Sequence, residues 1–368
     1  MSDDTIPEPD RLDGAPHPRE TPALYGQHAA EAAFLDAFTA GRMHSGWLIT
    51  GPRGVGKATL AWKIATFLLA DAPPDMLGGV TLAVPADHPD ARLVQSGAHP
   101  RLALIRRPWD EKTEKLRGEI TVDAVRNLKH FFQMSATDGG RRVVIVDAAD
   151  EMNRNAANAI LKELEEPPAG AVILLVAHQP SRLLPTIRSR CRELRCGPLS
   201  PEDLSRALAQ AGHRSDNAAG LAALAGGSVG DAIRLLGSGG MALYADLVRL
   251  FGALPRIDRQ AALALAEACS GRGAEARFGL TLDLIDLFVA RVARAGLLGA
   301  PATQGAAGEA LLLAKLAPDP RAAQAWAQLQ QDLSERSRHG RAVNLDPAAL
   351  ILDMIFKIEE TAQGVAAA

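Results

Sequence analysis

The chain has 368 residues, 47% hydrophobic and 23% charged, which excludes a disordered or fibrous protein and leaves room for two or three compact cores. A formal net charge of −3 is unlike the strongly basic balance of a protein that grips DNA alone, so any nucleic-acid role is shared with partners. The three cysteines, Cys191, Cys196 and Cys269, form no CxxC pair, which argues against a closed zinc site and against a secreted disulfide scaffold.

Residues 1–20 are acidic and proline-rich without an apolar signal core; they read as a disordered tail on a cytoplasmic protein. No later run is long and apolar enough to span a membrane. Ala29–Ala40 reads as a helix with Ala33, Phe34, Ala37 and Phe38 on one face. Gly46–Thr50 is a short apolar strand that runs into Gly51-Pro52-Arg53-Gly54-Val55-Gly56-Lys57. A helix follows from Ala58, with Leu60, Ile64, Phe67 and Leu68 as its buried stripe. Asp71–His99 lacks periodicity and reads as an irregular insertion, and Trp109–Glu119 as a charged surface loop. Between them Leu102–Ile105 is a candidate strand, and Thr121 opens a helix carrying Val122, Val125, Leu128 and Phe132.

Val143–Val146 is an apolar strand ending in Asp147. Asn153 can cap the next helix, whose inner face is Ala156, Ala157, Ile160, Leu161 and Leu164 and which Pro167-Pro168 stops. Val172–Val176 and the short run Glu193–Arg195 complete the strands. Strands alternating with helices predict an α/β fold with a parallel sheet covered on both faces. After Cys196 only helical patterns remain. Ser200-Pro201-Glu202-Asp203 combines a cap, a first-turn proline and acids facing the macrodipole. Two further short helices carry Leu221 and Leu224, then Ile233 and Leu236. From Met241 onward the apolar positions recur at helical spacing, through Phe278–Val292 and Trp326, Leu329 and Leu333 to Leu350, Ile351, Met354, Ile355 and Ile358. The polar stretch Ser334–Asn344 reads as a gap between helices.

The glycine loop matches GxxxxGK[ST] except at its last position, which is Ala58. Gly51, Gly54 and Gly56 let backbone N–H groups close on phosphates, and Lys57 neutralises them. The hydroxyl that should ligate Mg²⁺ is missing. Thr59 comes next but points about 100° further round the helix. The loop therefore keeps what binding of ATP or ADP needs and lacks what hydrolysis needs. Asp147 is either the carboxylate that holds Mg²⁺ at a strand tip or a strand-end turn residue. The residue after it is Ala148, where an ATPase of this kind has Glu. Asp150 and Glu151 read as solvated. Arg188 and Arg190 are either a solvated pair or include a planar cation offered to a neighbour's γ-phosphate.

Together these residues resemble a bacterial clamp-loader subunit of the AAA+ class. The resemblance is carried by GPRGVGK, by VVIVDAADEMNRNAANAILKELEEPP, by Ser189-Arg190-Cys191 and by the NLDP of Asn344–Pro347. It implies a RecA-like AAA+ α/β domain over residues 21–198, a three-helix lid over 199–240 and an all-helical oligomerising collar over 241–368. The family's gamma or tau subunits, which hydrolyse ATP, have an intact GKT, an Asp-Glu pair and a sensing Arg in a GSxRDAL segment. The matching residues here are Ala58, Ala148 and Gly230, while Ser-Arg-Cys is kept. That combination is similar to the family's non-hydrolysing subunit and implies Arg190 as an arginine finger given in trans. The family's four-cysteine zinc module would fall near residues 71–99, where no cysteine stands, so no zinc is expected and no metal ligand is assigned. The implied partners are delta and gamma/tau subunits, the sliding clamp, the polymerase III core through tau, and primed DNA through the assembled ring. Polymerase activity would belong to that assembly. Two other readings are an active gamma-like ATPase using Thr59 and Asp150 as substitutes, and a nucleotide-gated binding module outside replication.

Overall fold

The computed structural model describes residues 7–70, 81–133 and 140–367. They divide into two compact units, one running to Arg214 and including Gly227–Gly230, the other comprising Ser215–Gly226 and Asp231–Ala368. The expected borders at 198/199 and 240/241 do not coincide with this division, which runs through the segment read as a lid.

In the first unit the strands are β1 (Gly46–Thr50), β2 (Leu102–Ile105), β3 (Trp109–Asp110), β4 (Lys115–Leu116), β5 (Arg142–Asp147), β6 (Ala171–Ala177) and β7 (Arg192–Arg195). Five of them form a parallel sheet in the order β2-β5-β6-β1-β7. This is the expected parallel α/β arrangement, with the strand that feeds the glycine loop placed inside the sheet. Every residue of β1 and β6 is buried, as a parallel sheet covered on both faces requires. The helices are α1 (His28–Thr39), α2 (Lys57–Leu69), α3 (Pro89–Gln95), α4 (Val122–Gln133), α5 (Arg154–Glu165), α6 (Pro185–Arg188) and α7 (Pro201–Gln210). Leu128, Phe132, Ile160 and Leu164 from α4 and α5 join Val144, Val146, Ile173 and Leu175 in one apolar cluster. Each fully buried aliphatic side chain there contributes about 1.5–3 kcal/mol relative to exposure. Asn153 caps α5 as anticipated, its Oδ1 accepting from Ala156 N at 2.9 Å.

Three local expectations are corrected. Residues 7–20 are packed rather than tail-like: their acids pair internally and with Arg106, so their charge is neutralised in place. Residues 1–6 lie outside the described residues. Of the insertion Asp71–His99, residues 71–80 also lie outside them, while Pro89–Gln95 is helical because His88 accepts from Asp90 N and Pro89 starts the turn. The Trp109–Glu119 loop contains the antiparallel pair β3–β4, and Arg117 reaches back to Asp110 across it.

The second unit contains α8 (Ala218–Ala225), most of α9 (Val229–Gly237), α10 (Gly240–Gly252), α11 (Arg259–Glu267), α12 (Glu275–Leu298), α13 (Glu309–Leu316), α14 (Pro320–Ala342) and α15 (Pro347–Ala367). Its described residues are helical, as read. Phe288, Val289 and Val292 of α12 are fully buried, as are Trp326 and Leu333 of α14. The Phe251 and Phe288 rings lie 4.7 Å apart. The expected gap at Ser334–Asn344 lies mostly inside α14. Its polar residues face outward, and Gly340 turns inward where a Cβ would stand 2.6 Å from Leu350 Cδ2. Glu309 is a fully buried carboxylate that accepts from Tyr244 Oη, Arg291 Nε and Gly305 N. Among the described residues no single helix is long and apolar enough to cross a membrane.

Candidate functional site

The strand register sets the site. Thr50 is level with Ala177 and Arg195, and Asp147 with Val176. The glycine loop, Asp147, His178 and Cys196 therefore share the C-terminal edge of the sheet, where open α/β folds bind ligands. The loop Gly51–Gly56 leaves β1 and delivers Lys57 to the first turn of α2. Gly51 has φ 142°, and a Cβ there would lie 2.1 Å from the Cys196 carbonyl oxygen. Only glycine allows that approach. Gly54 is closed from the other side, its carbonyl accepting from Val229 N (2.9 Å) and Gly230 N (3.2 Å). The buried Gln27 amide donates to Val55 O (3.0 Å) and Gly197 O (2.8 Å) and accepts from Gly197 N (3.0 Å). This clamp has no periodic or motif signal in the sequence and was not anticipated.

Lys57 is 3% exposed. Its Nζ donates to Gly51 O at 2.8 Å and to Pro52 O, inside its own loop. Burial lowers its pKa to about 8. Ala58 offers no hydroxyl, and Thr59 is buried in the body of α2. Burial also pushes Asp147 up to about 7, with Asp10 adding to the push and Lys57 opposing it. His178 is lowered to about 4 by burial and by nearby Lys57.

Asp150 is corrected from a solvated side chain to a staple. It is 9% exposed, and its two oxygens accept from His178 N (2.9 Å) and Gln179 N (3.0 Å) beyond β6. Glu151 pairs with Arg107 at 2.8 Å. Neither is free to activate water. The residues present thus do not fit a Mg²⁺–nucleotide hydrolysis centre. The hydroxyl ligand and the catalytic glutamate are absent, Lys57 is turned onto its loop, and Asp150 is committed to backbone amides.

Arg190 stands elsewhere. It precedes β7, whose Arg192 is level with Trp47 at the start of β1, so it occupies the opposite, N-terminal edge of the sheet. Four strand steps, about 13 Å, separate the two edges along β1. The guanidinium is 36% exposed and pairs with Glu165 at the end of α5 (2.7 Å), while Nη1 donates to Thr186 O (3.0 Å). Beside it the Cys191 thiol is pushed up to about 12 by burial. Gly46 admits this segment: a Cβ there would sit 3.1 Å from Cys191 Sγ and 3.3 Å from Arg190 O. Gly51, Gly54, Gly56, Lys57 and Asp147 are thus gathered at one edge, with Thr59 in the helix behind them and Arg190 at the other edge. Among the described residues no His, Cys, Asp and Glu group could hold a metal ion.

Residues 26–200 match the family described as "DNA polymerase III, delta subunit". The chain is 40% identical over 198 residues to the DNA polymerase III subunit delta' of Pseudomonas aeruginosa, covering 52% of this chain and 56% of that protein. It is 35% identical over 157 residues to the subunit delta' of Escherichia coli K12, covering 42% and 43%. It is 28% identical over 225 residues to the subunit gamma of Buchnera aphidicola, covering 60% and 58%. The chain spans about half the length of these curated relatives. The similarity to DNA polymerase III delta' subunits thus falls on residues 26–200, which contain the whole five-stranded sheet.

Proposed function

We propose that this chain is the non-hydrolysing delta-prime subunit of a cytoplasmic DNA polymerase III clamp loader, and that it gives Arg190 in trans to the ATP site of a neighbouring gamma or tau subunit. The observation that carries the reading is the separation of the two edges. Arg190 lies at the N-terminal edge of the sheet, too far from its own P-loop for a side chain to reach it, yet ordered and partly exposed. An arginine so placed is available to a phosphate brought by another subunit rather than to its own loop. Its planar fork would meet the charge that develops on the transferring γ-phosphoryl oxygens. Glu165 holds the guanidinium meanwhile. An exposed pair of this kind is worth about 0–1 kcal/mol, so exchanging the carboxylate for a phosphate costs little.

In this reading delta, gamma or tau, the sliding clamp, the polymerase core through tau, and primed DNA are the partners of the assembly. The α/β domain, lid and helical collar divide positioning from ring formation. The degenerate P-loop contributes a scaffold. The test uses the isolated chain and a reconstituted loader. The isolated chain is expected to show no DNA-stimulated ATP turnover, and the chain is expected to co-assemble with gamma or tau and delta. Turnover by the isolated chain that Lys57→Ala abolishes would favour the gamma-like ATPase instead. Failure to co-assemble would favour a module outside replication.

A further inference from the structure

The sequence motifs do not use residues 7–20, yet this segment is pinned across the glycine loop at several points. Arg106 lies one residue beyond Ile105, which is level with Val146 in the sheet, so Arg106 stands beside the rung of Asp147. Asp10, with a side chain 1% exposed, accepts from Arg106 Nη1 at 2.6 Å. Glu8 bridges Arg106 (3.2 Å) and Arg19 (2.9 Å). His17 is fully buried, lies 3.1 Å from the Asp10 carboxylate, and meets Trp62 of α2 edge-on at 5.7 Å between ring centres. It also caps the turn Pro18–Glu20.

On the far side of the loop, Leu12 Cδ2 lies 3.7 Å from where a Cβ on Gly230 would stand, and Gly230 is bonded to Gly54. His213 Nε2 lies 2.6 Å from Gly14 O. Asp10 and Leu12 are two residues apart, at most about 7 Å of chain. The backbone therefore passes directly between the rung of Asp147 and Gly54. That is the space above a P-loop where phosphates lie. Further along, Leu24 Cδ1 closes on Gly56, 2.8 Å from a Cβ position there.

We propose that residues 7–20 are a built-in strap that covers the degenerate P-loop and keeps nucleotide out of it. The strap excludes by volume: Asp10 takes up Arg106 beside the rung of Asp147, and Leu12 fills the mouth with an apolar side chain. The strap is anchored by pairs internal to the chain, so closure is the resting state. This inference does not depend on the role of Arg190.

The experiment compares the full chain with the double variant Asp10→Ala/His17→Ala, using a fluorescent N-methylanthraniloyl ATP as probe. Limited trypsin cleavage at Arg11 and Arg19 reports whether the strap is released. The expected result is faster cleavage at both sites and a gain in affinity of at least about tenfold, the penalty imposed by a mouth that is closed more than nine times in ten. Released cleavage sites with affinity unchanged overturn the proposal, because the strap is then no barrier. Unchanged cleavage overturns it too, because the named anchors then do not hold the segment. Tight probe binding by the unaltered chain with Arg11 and Arg19 still protected also overturns it. If the double variant does not fold, Leu12→Asp tests the same closure from the Gly230 side, with the same two readouts and outcomes.

Discussion

Replacing Asp150 separates a structural carboxylate from a catalytic one. Asp150 leaves β5 in a 3-10 turn and ties it to the exit of β6 through two backbone amides at 2.9 and 3.0 Å. Hydrogen bonds to a charged acceptor contribute about 1.5–3 kcal/mol each, and truncation leaves two amides without their partner. The two bonds share one side chain, so Asp150→Ala should cost about 3 kcal/mol rather than the full sum. With a urea slope of about 2 kcal/mol/M, the midpoint falls by about 1.5 M. Asp150→Asn keeps one good acceptor and should fall about halfway between. Glu151→Ala, which loses only a partly exposed pair with Arg107, should cost under about 1 kcal/mol. The assay is urea unfolding followed by the fluorescence of Trp47 and Trp62, both buried in the α/β unit. A midpoint for Asp150→Ala within about 0.3 M of that for Glu151→Ala would refute the staple and reopen the possibility that Asp150 is free for chemistry.

Gly51→Ala adds a Cβ 2.1 Å from a backbone oxygen at φ 142° and should cost about 3 kcal/mol or more. Gly41→Ala, at φ 64° with nothing within 4 Å, should cost about 1–2 kcal/mol; equal losses in thermal melts would contradict the close approach. Lys57 falls from 10.5 to about 8 because burial disfavours its charge. Between these values unfolded Lys57 binds more protons than native Lys57, so its contribution to stability should rise with pH through that window, by about 3 kcal/mol in all, opposed above about 9 by the Cys191 and Cys196 thiols, whose pKa values burial raises. Lys57→Met should make the slope of stability against pH less positive across the window, and an unchanged slope in denaturation would assign the dependence to other groups. In the helical unit Glu309→Ala leaves Arg291, whose side chain is 12% exposed, without its carboxylate and should cost about 3–5 kcal/mol. Calorimetry of that unit checks it, and a loss under about 1 kcal/mol would mean that Arg291 finds another partner.

The parts of the fold legible in the sequence are those set by local pattern. The run Gly46–Thr50, the glycines and the stripe of α2 form one continuous strand, loop and helix, and the period of each segment states its role. The apolar run ending at Asp147 and the cap at Asn153 are equally local. What stayed hidden depends on distant partners. Asp150 looked solvated because its acceptors' donors lie 28 and 29 residues on. The acidic, proline-rich start looked disordered because the cation that neutralises it, Arg106, is almost a hundred residues away in the chain. Gln27 reaches Gly197 across 170 residues. The break expected at Ser334–Asn344 failed for the opposite reason: polar composition alone does not end a helix whose inner face, Leu333 and Gly340, continues. Arg190 was singled out by its motif, and its placement opposite the P-loop comes from the parallel register of β1 and β7.

In the proposed function this chain supplies a cation to a neighbour's ATP site. The measurement is DNA- and clamp-stimulated ATP hydrolysis by a loader reconstituted with gamma or tau, delta, and this chain as wild type, Arg190→Lys or Arg190→Ala. A finger given in trans is worth about 10³–10⁵ at the site it serves. Arg190→Ala is therefore expected to remove at least one site's turnover while the ring still assembles. Arg190→Lys should restore little, since a point charge does not replace a planar fork. Unchanged turnover in an assembled ring carrying Arg190→Ala would rule out a finger given in trans and leave Arg190 as the surface partner of Glu165.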